Sequence, residues 1–313
     1  MKKIILLVSI LIVSGCVGMP DIFNLSSLTG TQKTKVKEQP LDVITVQNIN
    51  VLPKPPINAG DQFSISFEVT NLEEERDVEE VGYELLDTGL CTRIAGDDRE
   101  KNFTTDSPFV PRQNEFVEWT FEAPNAEDLA YINSKCPVRF QVSYSFDAIS
   151  EIEVDVISET KYNQLQQSGE FQTFVPTLSL GRGPLRIMLE FGASQPIKAN
   201  TTLPIYVTVE DKGIGLYSTI PAHTLNLTVP SGFNWGSESS CGERFECPTE
   251  NLCYNKENIM MIERKSPTFR CSLTTPNSSR VLVEKVYSIE ASLDYTYDIT
   301  KQVDVDIKTP SGI

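Results

Sequence analysis

The sequence predicts an all-β protein in which two tandem sandwiches follow a leader and a linker. The segment DQFSISFEVTN, residues 61–71, alternates apolar and polar side chains with a period of two, which is typical of a half-buried antiparallel strand. The same alternation recurs 140 residues later in TTLPIYVTVED, residues 201–211, so the chain holds two copies of one unit. Neither copy shows a 3.6-residue apolar period of domain length, which favours sheets over helices.

Two further matches extend the repeat. WTFEAPN at 119–125 matches CSLTTPN at 271–277 with an offset of 152 residues, and YSFDAISEIEVDV at 144–156 matches YTYDITKQVDVDI at 295–307 with an offset of 151. Because the offset grows from 140 to 152, the second copy carries about a dozen additional residues in its middle. They fall in the part of the copy that contains Cys241, Cys247 and Cys253.

Each copy contains several short strands separated by turn residues, a pattern typical of an immunoglobulin-like β-sandwich. The segment 144–156 is predicted to close the first copy as a hairpin, and 158–170 is the one stretch that suits a short helix. We predict a signal peptide at 1–15, a flexible tether at 16–42, a first sandwich at 43–157, a connector at 158–182 and a second sandwich at 183–308.

The stretch INAGDQFSISFEVTN resembles the CARDB-type and related immunoglobulin-like modules of bacterial and archaeal surface proteins. Their first long strand follows an Ala-Gly-Asp turn and ends at an asparagine; here Gly60 and Asp61 supply the turn and Asn71 ends the strand. The second copy departs from the pattern at Asn200 and Asp211, so its membership depends on the internal repeat. The resemblance implies the fold and says little about a ligand.

The first sixteen residues predict an exported protein. Lys2 and Lys3 precede an apolar run at 4–13 that suits a secretory signal peptide but is shorter than the ~20 residues of a membrane-spanning helix. The following VSGC resembles the lipobox of prokaryotic lipoproteins, in which the cysteine, here Cys16, receives the lipid. The expected location is the extracytoplasmic face of the cell membrane; the alternative is an ordinary cleaved signal with an incidental cysteine.

The formal net charge of −16 restricts the partners. A strongly acidic surface repels phosphate backbones and anionic headgroups, so we expect no nucleic-acid binding, and membrane contact through the lipid alone. We expect a protein or glycan partner at the cell surface. Five Asn-x-Ser/Thr sequons are candidate glycosylation sites in an exported protein: Asn24, Asn102, Asn200, Asn226 and Asn277.

Six cysteines remain besides Cys16, an even number that predicts disulfides in an oxidising compartment. Cys91 and Cys136 are the two cysteines of the first copy, and we expect a bond between them. The second copy offers three connectivities, and spacing does not choose among Cys241, Cys247, Cys253 and Cys271. A zinc site of four thiolates is the alternative, but no C-x2-C pair is present, so we expect no metal and no cofactor.

The sequence predicts a protein without catalytic residues. His223 is the single histidine and lies in a predicted turn, and no nucleophile elbow or metalloprotease pair occurs. Glu153, Asp155, Asp304 and Asp306 alternate with Val or Ile, as on a solvated strand face. The acidic run at 73–80 is interpreted as a solvated loop, with calcium binding left open.

Two aromatic residues, Phe233 and Trp235, lie in a Gly- and Ser-rich loop before the cysteine cluster. They either contact a partner or cap the core beneath a disulfide-stapled insertion. We predict that 233–253 forms a stapled surface protrusion and is the partner-binding site. Trp119, on a strand, is expected in the core.

These observations favour a non-catalytic, lipid-anchored envelope protein that acts in binding, adhesion or assembly. Two alternatives stay open. One is an envelope hydrolase that uses a pair of carboxylates, which would need two acids roughly 5–10 Å apart in a cleft. The other is a structural stalk that presents another protein.

Overall fold

The computed structural model describes residues 35–38, 41–104, 107–129, 134–235 and 241–308. The fold is all-β, as predicted, with 59% of residues in strands and 4% in helix. Within the described ranges, no helix has the length and apolar character needed to cross a membrane. The signal peptide and Cys16 lie outside the described residues.

The first half of the chain, as far as the structure describes it, forms these strands: β1 Lys35–Glu38, β2 Ile44–Leu52, β3 Ile57–Asn58, β4 Gln62–Asn71, β5 Glu79–Asp87, β6 Thr92–Gly96, β7 Glu100–Asn102, β8 Asn114–Glu122 and β9 Ser134–Ile157.

One helix and eleven strands follow in the described part of the second half: α1 Glu159–Ser168, β10 Thr177–Leu180, β11 Leu185–Phe191, β12 Ile197–Lys198, β13 Thr202–Asp211, β14 Thr219–Ile220, β15 Leu225–Thr228, β16 Phe245–Thr249, β17 Leu252–Asn255, β18 Ile259–Met260, β19 Phe269–Thr274 and β20 Glu284–Lys308.

The two longest strands, β9 and β20, form an antiparallel ribbon along their whole length. Pairing runs from Ser134 opposite Ile307 to Ile157 opposite Glu284. The predicted hairpin at 144–156 is therefore wrong, because this segment is the straight second half of β9. Its alternation of buried and exposed side chains continues without a phase change, so the whole strand keeps one face toward the core.

The ribbon is the spine of the central sheet, whose strands follow the order β1-β10-β9-β20-β15-β17-β16. Strand β5 also pairs with β9, in the first half of that strand. A four-stranded sheet, β2-β4-β8-β6, covers the central sheet in the first copy, where Phe67 stacks on Phe140 at 4.1 Å between ring centroids. A three-stranded sheet, β11-β13-β19, belongs to the second copy.

Strand pairing reproduces the sequence repeat. Phe63 of β4 lies opposite Phe121 of β8, and Leu203 of β13 lies opposite Leu273 of β19. These two pairs are related by the offsets of 140 and 152 residues seen in the sequence. The corresponding strands of the two copies thus have the same neighbours in the same register.

The two copies are also interlocked. The short strand β3 of the first copy pairs with the end of β20, and β12 of the second copy pairs with the end of β9. Ser145 and Thr296 are equivalent at the offset of 151 and lie directly opposite each other, with their hydroxyl oxygens 3.3 Å apart. An approximate twofold axis therefore passes through the middle of the ribbon between these two residues.

Two predicted linkers contain regular structure. Residues 35–38 of the predicted tether form β1, which pairs in parallel with β10 at the sheet edge. The predicted helix in the connector is confirmed as α1; Ser158 caps its first turn and Gly169, in the left-handed conformation, ends it. The rest of the connector is more than a link, because β10 adds to the central sheet.

The disulfide predicted between Cys91 and Cys136 is confirmed. In the second copy the structure selects one connectivity, Cys241 to Cys271 and Cys247 to Cys253. The Cys247–Cys253 bond closes the β16–β17 hairpin, and the Cys241 bond joins the approach to this hairpin to β19 in the opposite layer.

Candidate functional site

The predicted partner-binding residues are buried. Phe233 and Trp235 are each 1% exposed, so their prediction as an exposed contact site is wrong. Asn234 pairs with Thr274 at the edge of β19, which turns both rings inward, and Phe233 packs edge-on against Tyr287 at 5.0 Å. Burying two large aromatic rings is worth several kcal/mol, at roughly 2–3 kcal/mol each, so the core retains them.

The predicted protrusion at 233–253 is also corrected. Its described part from Phe245 onward is the β16–β17 hairpin, which extends the central sheet through pairing of β17 with β15. Cys241, Phe245 and Cys253 are buried. The additional residues of the second copy therefore widen the sheet and close the core.

Other predicted residues lie at separate places. His223 is exposed in a turn, as expected, with its ring 5.0 Å from that of Tyr254. Trp119 is fully buried, as expected, and donates a hydrogen bond to the Asp98 carbonyl. Asn24 lies outside the described residues; the side chains of the other sequons are exposed except for a half-buried Asn226.

The acidic residues are only partly solvated. Glu153, Asp304 and Asp306 are exposed as predicted, whereas Asp155 is buried. Burial and the neighbouring Glu284 carboxyl raise the pKa of Asp155 to about 6. In the acidic run at 73–80, Glu73 is buried in an ion pair with Arg182, so this end of the loop is packed against the sheet.

A depression crosses the exposed face of the ribbon at the twofold axis. We call it the axial groove; its volume is about 570 Å³ and it is open to solvent. Its floor consists of three consecutive cross-strand pairs, Ser145 with Thr296, Phe146 with Tyr295 and Asp147 with Asp294. The walls come from the two copies: Arg76, Asp77, Pro221 and Thr224.

The floor of the groove carries charge close to the axis. Directly opposed residues of an antiparallel pair have Cβ atoms about 4.5–5.5 Å apart, so Asp147 and Asp294 bring two carboxylates close together. Arg76 Nη1 lies 2.8 Å from Asp147 Oδ1, and its guanidinium stands 4.1 Å above the Phe146 ring. The Arg76 charge thus offsets one of the two like charges that would otherwise repel.

A group of exposed apolar side chains adjoins the groove on the side of the second copy. We call it the apolar patch; its four side chains are 60–69% exposed and belong to the loop after β13 and to the end of β18 with the residues that follow it: Ile214, Leu216, Met260 and Ile262. Leu216 bridges to Asp298 on β20, two residues from the groove floor. Met260 pairs with Thr219, shortly before the groove wall at Pro221.

The loop that carries half of the apolar patch is held in place. Arg264 forms an ion pair of 2.8 Å with buried Asp211 and donates hydrogen bonds to the carbonyls of Gly213 and Gly215. Tyr297 donates a further hydrogen bond of 2.9 Å to Asp211. These contacts fix the backbone of the loop that carries Ile214 and Leu216. The loop would therefore lose little conformational entropy when a partner binds to these side chains.

Charged groups border the patch. Lys212 and Lys265 both contact Glu210, at 2.7 and 3.0 Å. Burial alone would raise the pKa of Glu210, but the hydrogen bonds from the two lysines outweigh it and lower the pKa. An apolar centre with a paired polar border is the usual composition of a protein interface.

The two copies differ at equivalent positions around the axis. Residue 76 corresponds to 216 at the offset of 140, and 147 corresponds to 298 at the offset of 151. Hence the ion pair of Arg76 with Asp147 stands where the second copy has Leu216 beside Asp298. Sequence reasoning missed the patch, since an apolar residue in a loop gives no sign of whether it faces the core.

Among the described residues, one group of His, Cys, Asp or Glu has the proximity needed to hold a metal ion: the sulfurs of Cys241, Cys247 and Cys253 lie within 4.8 Å of one another. All three are disulfide-bonded. A disulfide sulfur has no thiolate charge with which to bind zinc.

Comparisons with known proteins give no family. No protein-family model matches the chain, and no curated protein matches it. Among solved structures, a chaperone–tip adhesin complex of CFA/I fimbriae biogenesis aligns with a TM-score of 0.09 and 7% identity, covering 88% of this chain and 98% of that one. A similarity this low carries no argument about fold or function.

Proposed function

We propose that the protein is a non-catalytic binding module of the cell envelope, built from two immunoglobulin-like sandwiches and anchored at the extracytoplasmic face through a lipid on Cys16. Its partner is a protein that docks on the apolar patch and the axial groove. The observation that carries the proposal is the patch: four large apolar side chains, each at least 60% exposed, on two segments linked by Arg264.

The patch leaves apolar side chains in water that a partner could bury. Large apolar side chains that are grouped on a surface and rimmed by polar residues mark protein interaction sites, whereas single scattered ones do not. Burying one aliphatic side chain contributes roughly 1.5–3 kcal/mol, so four of them supply enough for a central hot spot. The groove beside the patch adds polar groups, which give the orientation of the partner.

The anchor has a direct test. Cys16→Ser should abolish incorporation of labelled lipid and release the protein from the membrane fraction, because no other acyl attachment is proposed. If the Cys16→Ser protein stayed in the membrane fraction, the lipid anchor would be refuted. The docking surface would not be affected, because the crosslinking experiment tests it separately.

The docking surface is tested with a photo-crosslinking amino acid in the intact envelope. We expect a discrete adduct from position 260 and none from the matched control position 116, since Phe116 is 57% exposed on the other copy. Adding Leu216→Ser and Ile262→Ser to the 260 variant should lower the adduct yield about tenfold or more, as for truncated hot spots. Equal adducts at 260 and 116 would refute the assignment.

The hydrolase alternative rests on one observation, the opposed carboxylates of Asp147 and Asp294 in the groove. Neither lies in the dry, apolar surroundings that a proton-donating carboxyl needs, since Asp294 is exposed and Asp147 is ion-paired with Arg76. Incubation of the protein with purified envelope glycan distinguishes a hydrolase from a binding module. We expect no release of sugar. Release that the Asp294→Asn substitution abolishes would favour the hydrolase.

A further inference from the structure

A second exposed apolar surface lies at one end of the ribbon, where β20 begins. Leu282 is 88% exposed, and Val283 and Val286 are 57% and 58% exposed; we call these three residues the terminal patch. Their backbone is fixed at both ends of the patch, because the Val283 carbonyl accepts a hydrogen bond of 2.8 Å from Ser158 and Val286 pairs with Asp155. The patch is thus an ordered part of the sheet end.

The segment that carries the terminal patch has more basic residues than acids, while the paired strand β9 places Asp155 directly opposite Val286 and Glu153 two residues earlier on the same face. The segment RVLVEKV, residues 280–286, contains Arg280 and Lys285 but a single acid, in a protein with a net charge of −16. Lys285 Nζ stands 4.6 Å from the centre of the Tyr287 ring. The Tyr287 ring is itself buried. Exposed aliphatic side chains with Arg280 and Lys285 beside them suit the interfacial zone of a bilayer, where long basic side chains keep their charge among the headgroups.

The chain enters the described structure near this end. Lys35 of β1 pairs with Thr177 of β10. The next residue of β10, Leu178, pairs with Ile152 of β9, which pairs in turn with Ile289 of β20. Three strand spacings of about 4.8 Å therefore separate the strand that carries Lys35 from the strand that carries Val286. Cys16 precedes Lys35 by 19 residues, which span at most about 65 Å when fully extended. A lipid on that cysteine would therefore connect to the protein at this end of a ribbon that is roughly 80 Å long.

We propose that the terminal patch inserts into the interface of the membrane that holds the lipid of Cys16. The proposal rests on the proposed anchor and goes beyond it, because it adds protein side chains to a membrane contact that the sequence assigned to the lipid alone. The lipid limits the distance of the protein from the membrane and the terminal patch sets its orientation, so the apolar patch and the axial groove are presented in a defined direction.

The test places an environment-sensitive fluorescent amino acid at position 282 of the full chain, with position 283 as a second site and position 116 as the matched control. The lipidated protein is reconstituted into phosphatidylcholine vesicles that carry a nitroxide on the acyl chains. We expect loss of fluorescence at 282 and 283 and no loss at 116. Equal quenching at 282 and 116 overturns the proposal.

Two controls separate this result from other causes. Flotation with the vesicles is scored first: a chain that does not float refutes the anchor on Cys16 and the terminal patch with it, whereas a chain that floats and shows no quenching at 282 refutes the patch alone. The Cys16→Ser chain is measured without vesicles. If 282 is protected from an aqueous quencher there, the patch binds a second copy of the chain and the proposal is wrong.

Discussion

Asp155 makes a pH-dependent contribution to stability that a single substitution should remove. Its side chain is 8% exposed, and one carboxyl oxygen has no hydrogen-bond partner. Burial and the adjacent Glu284 raise its pKa from 3.8 to about 6. Replacing the carboxyl by the isosteric amide in Asp155→Asn keeps the volume and removes the ionisation.

The direction in which Asp155 changes the free energy of unfolding follows from how the folded and the unfolded chain bind its proton. Below pH 3.8 both folded and unfolded chains hold the proton, and Asp155 has no effect. Between pH 3.8 and about 6 the unfolded chain releases the proton while the folded chain still holds it, so the free energy of unfolding falls as the pH rises. Above pH 6 the free energy of unfolding stays lower by the full amount. A shift of about two pKa units sets an upper limit of about 3 kcal/mol; solvent near exposed Glu284 reduces this to an order of 1–2 kcal/mol.

Urea denaturation of wild type and Asp155→Asn between pH 4 and 8 measures the effect. We expect the variant to gain about 1–2 kcal/mol relative to wild type as the pH rises from about 4 to 6, and a constant difference above that. Glu153→Gln is the matched control, because Glu153 is exposed two residues earlier on the same face of β9. A difference for Asp155→Asn that does not change with pH would refute the reasoning.

Two further predictions concern the covalent and the strand-paired connections. Replacing both Cys91 and Cys136 by Ala should lower the free energy of unfolding by about 4 kcal/mol, because this bond spans 45 residues. The same replacement of Cys247 and Cys253 should lower it by about 2 kcal/mol, because that bond spans 6 residues. Guanidinium denaturation measures both values, and equal losses of stability would contradict the chain-entropy explanation. Cleavage at a protease site inserted after Gly169 should leave the two halves in one peak on size exclusion, since 24 residue pairs join β9 to β20; halves that separate without denaturant would show that the ribbon does not hold them.

The repeat was predictable because it depends on local pattern. A half-buried strand must alternate apolar and polar residues, so the amino-acid sequence alone aligns Phe63 with Leu203. The alignment extends to the neighbours of each strand, since the equivalent residues lie opposite Phe121 and Leu273. Disulfide connectivity in the second copy was beyond the same reasoning, because it depends on which loops meet across the two layers.

The hairpin error had a signal in the sequence. Between Tyr144 and Val156 the apolar residues stay on even positions apart from Ile149, and the segment contains neither Gly nor Pro. A turn would need such residues and would normally shift the phase. The burial of Asp155, by contrast, had no local signal, because it follows from the approach of Gln195, whose side chain accepts a hydrogen bond from the Asp155 amide.

The approximate twofold axis also bears on how a partner would dock. If the two copies were identical around Ser145 and Thr296, a partner at the axial groove could bind in two equivalent orientations. The copies differ there, because one side presents the ion pair of Arg76 with Asp147 and the other presents exposed Leu216. Strands must keep their period-two pattern to bury one face, whereas loops vary at little cost to the core. The charge on one side of the groove and the apolar patch adjoining its other side therefore favour one of the two orientations. Exchanging the side chains in Arg76→Leu with Leu216→Arg should shift the adduct from position 260 to the loop of the first copy.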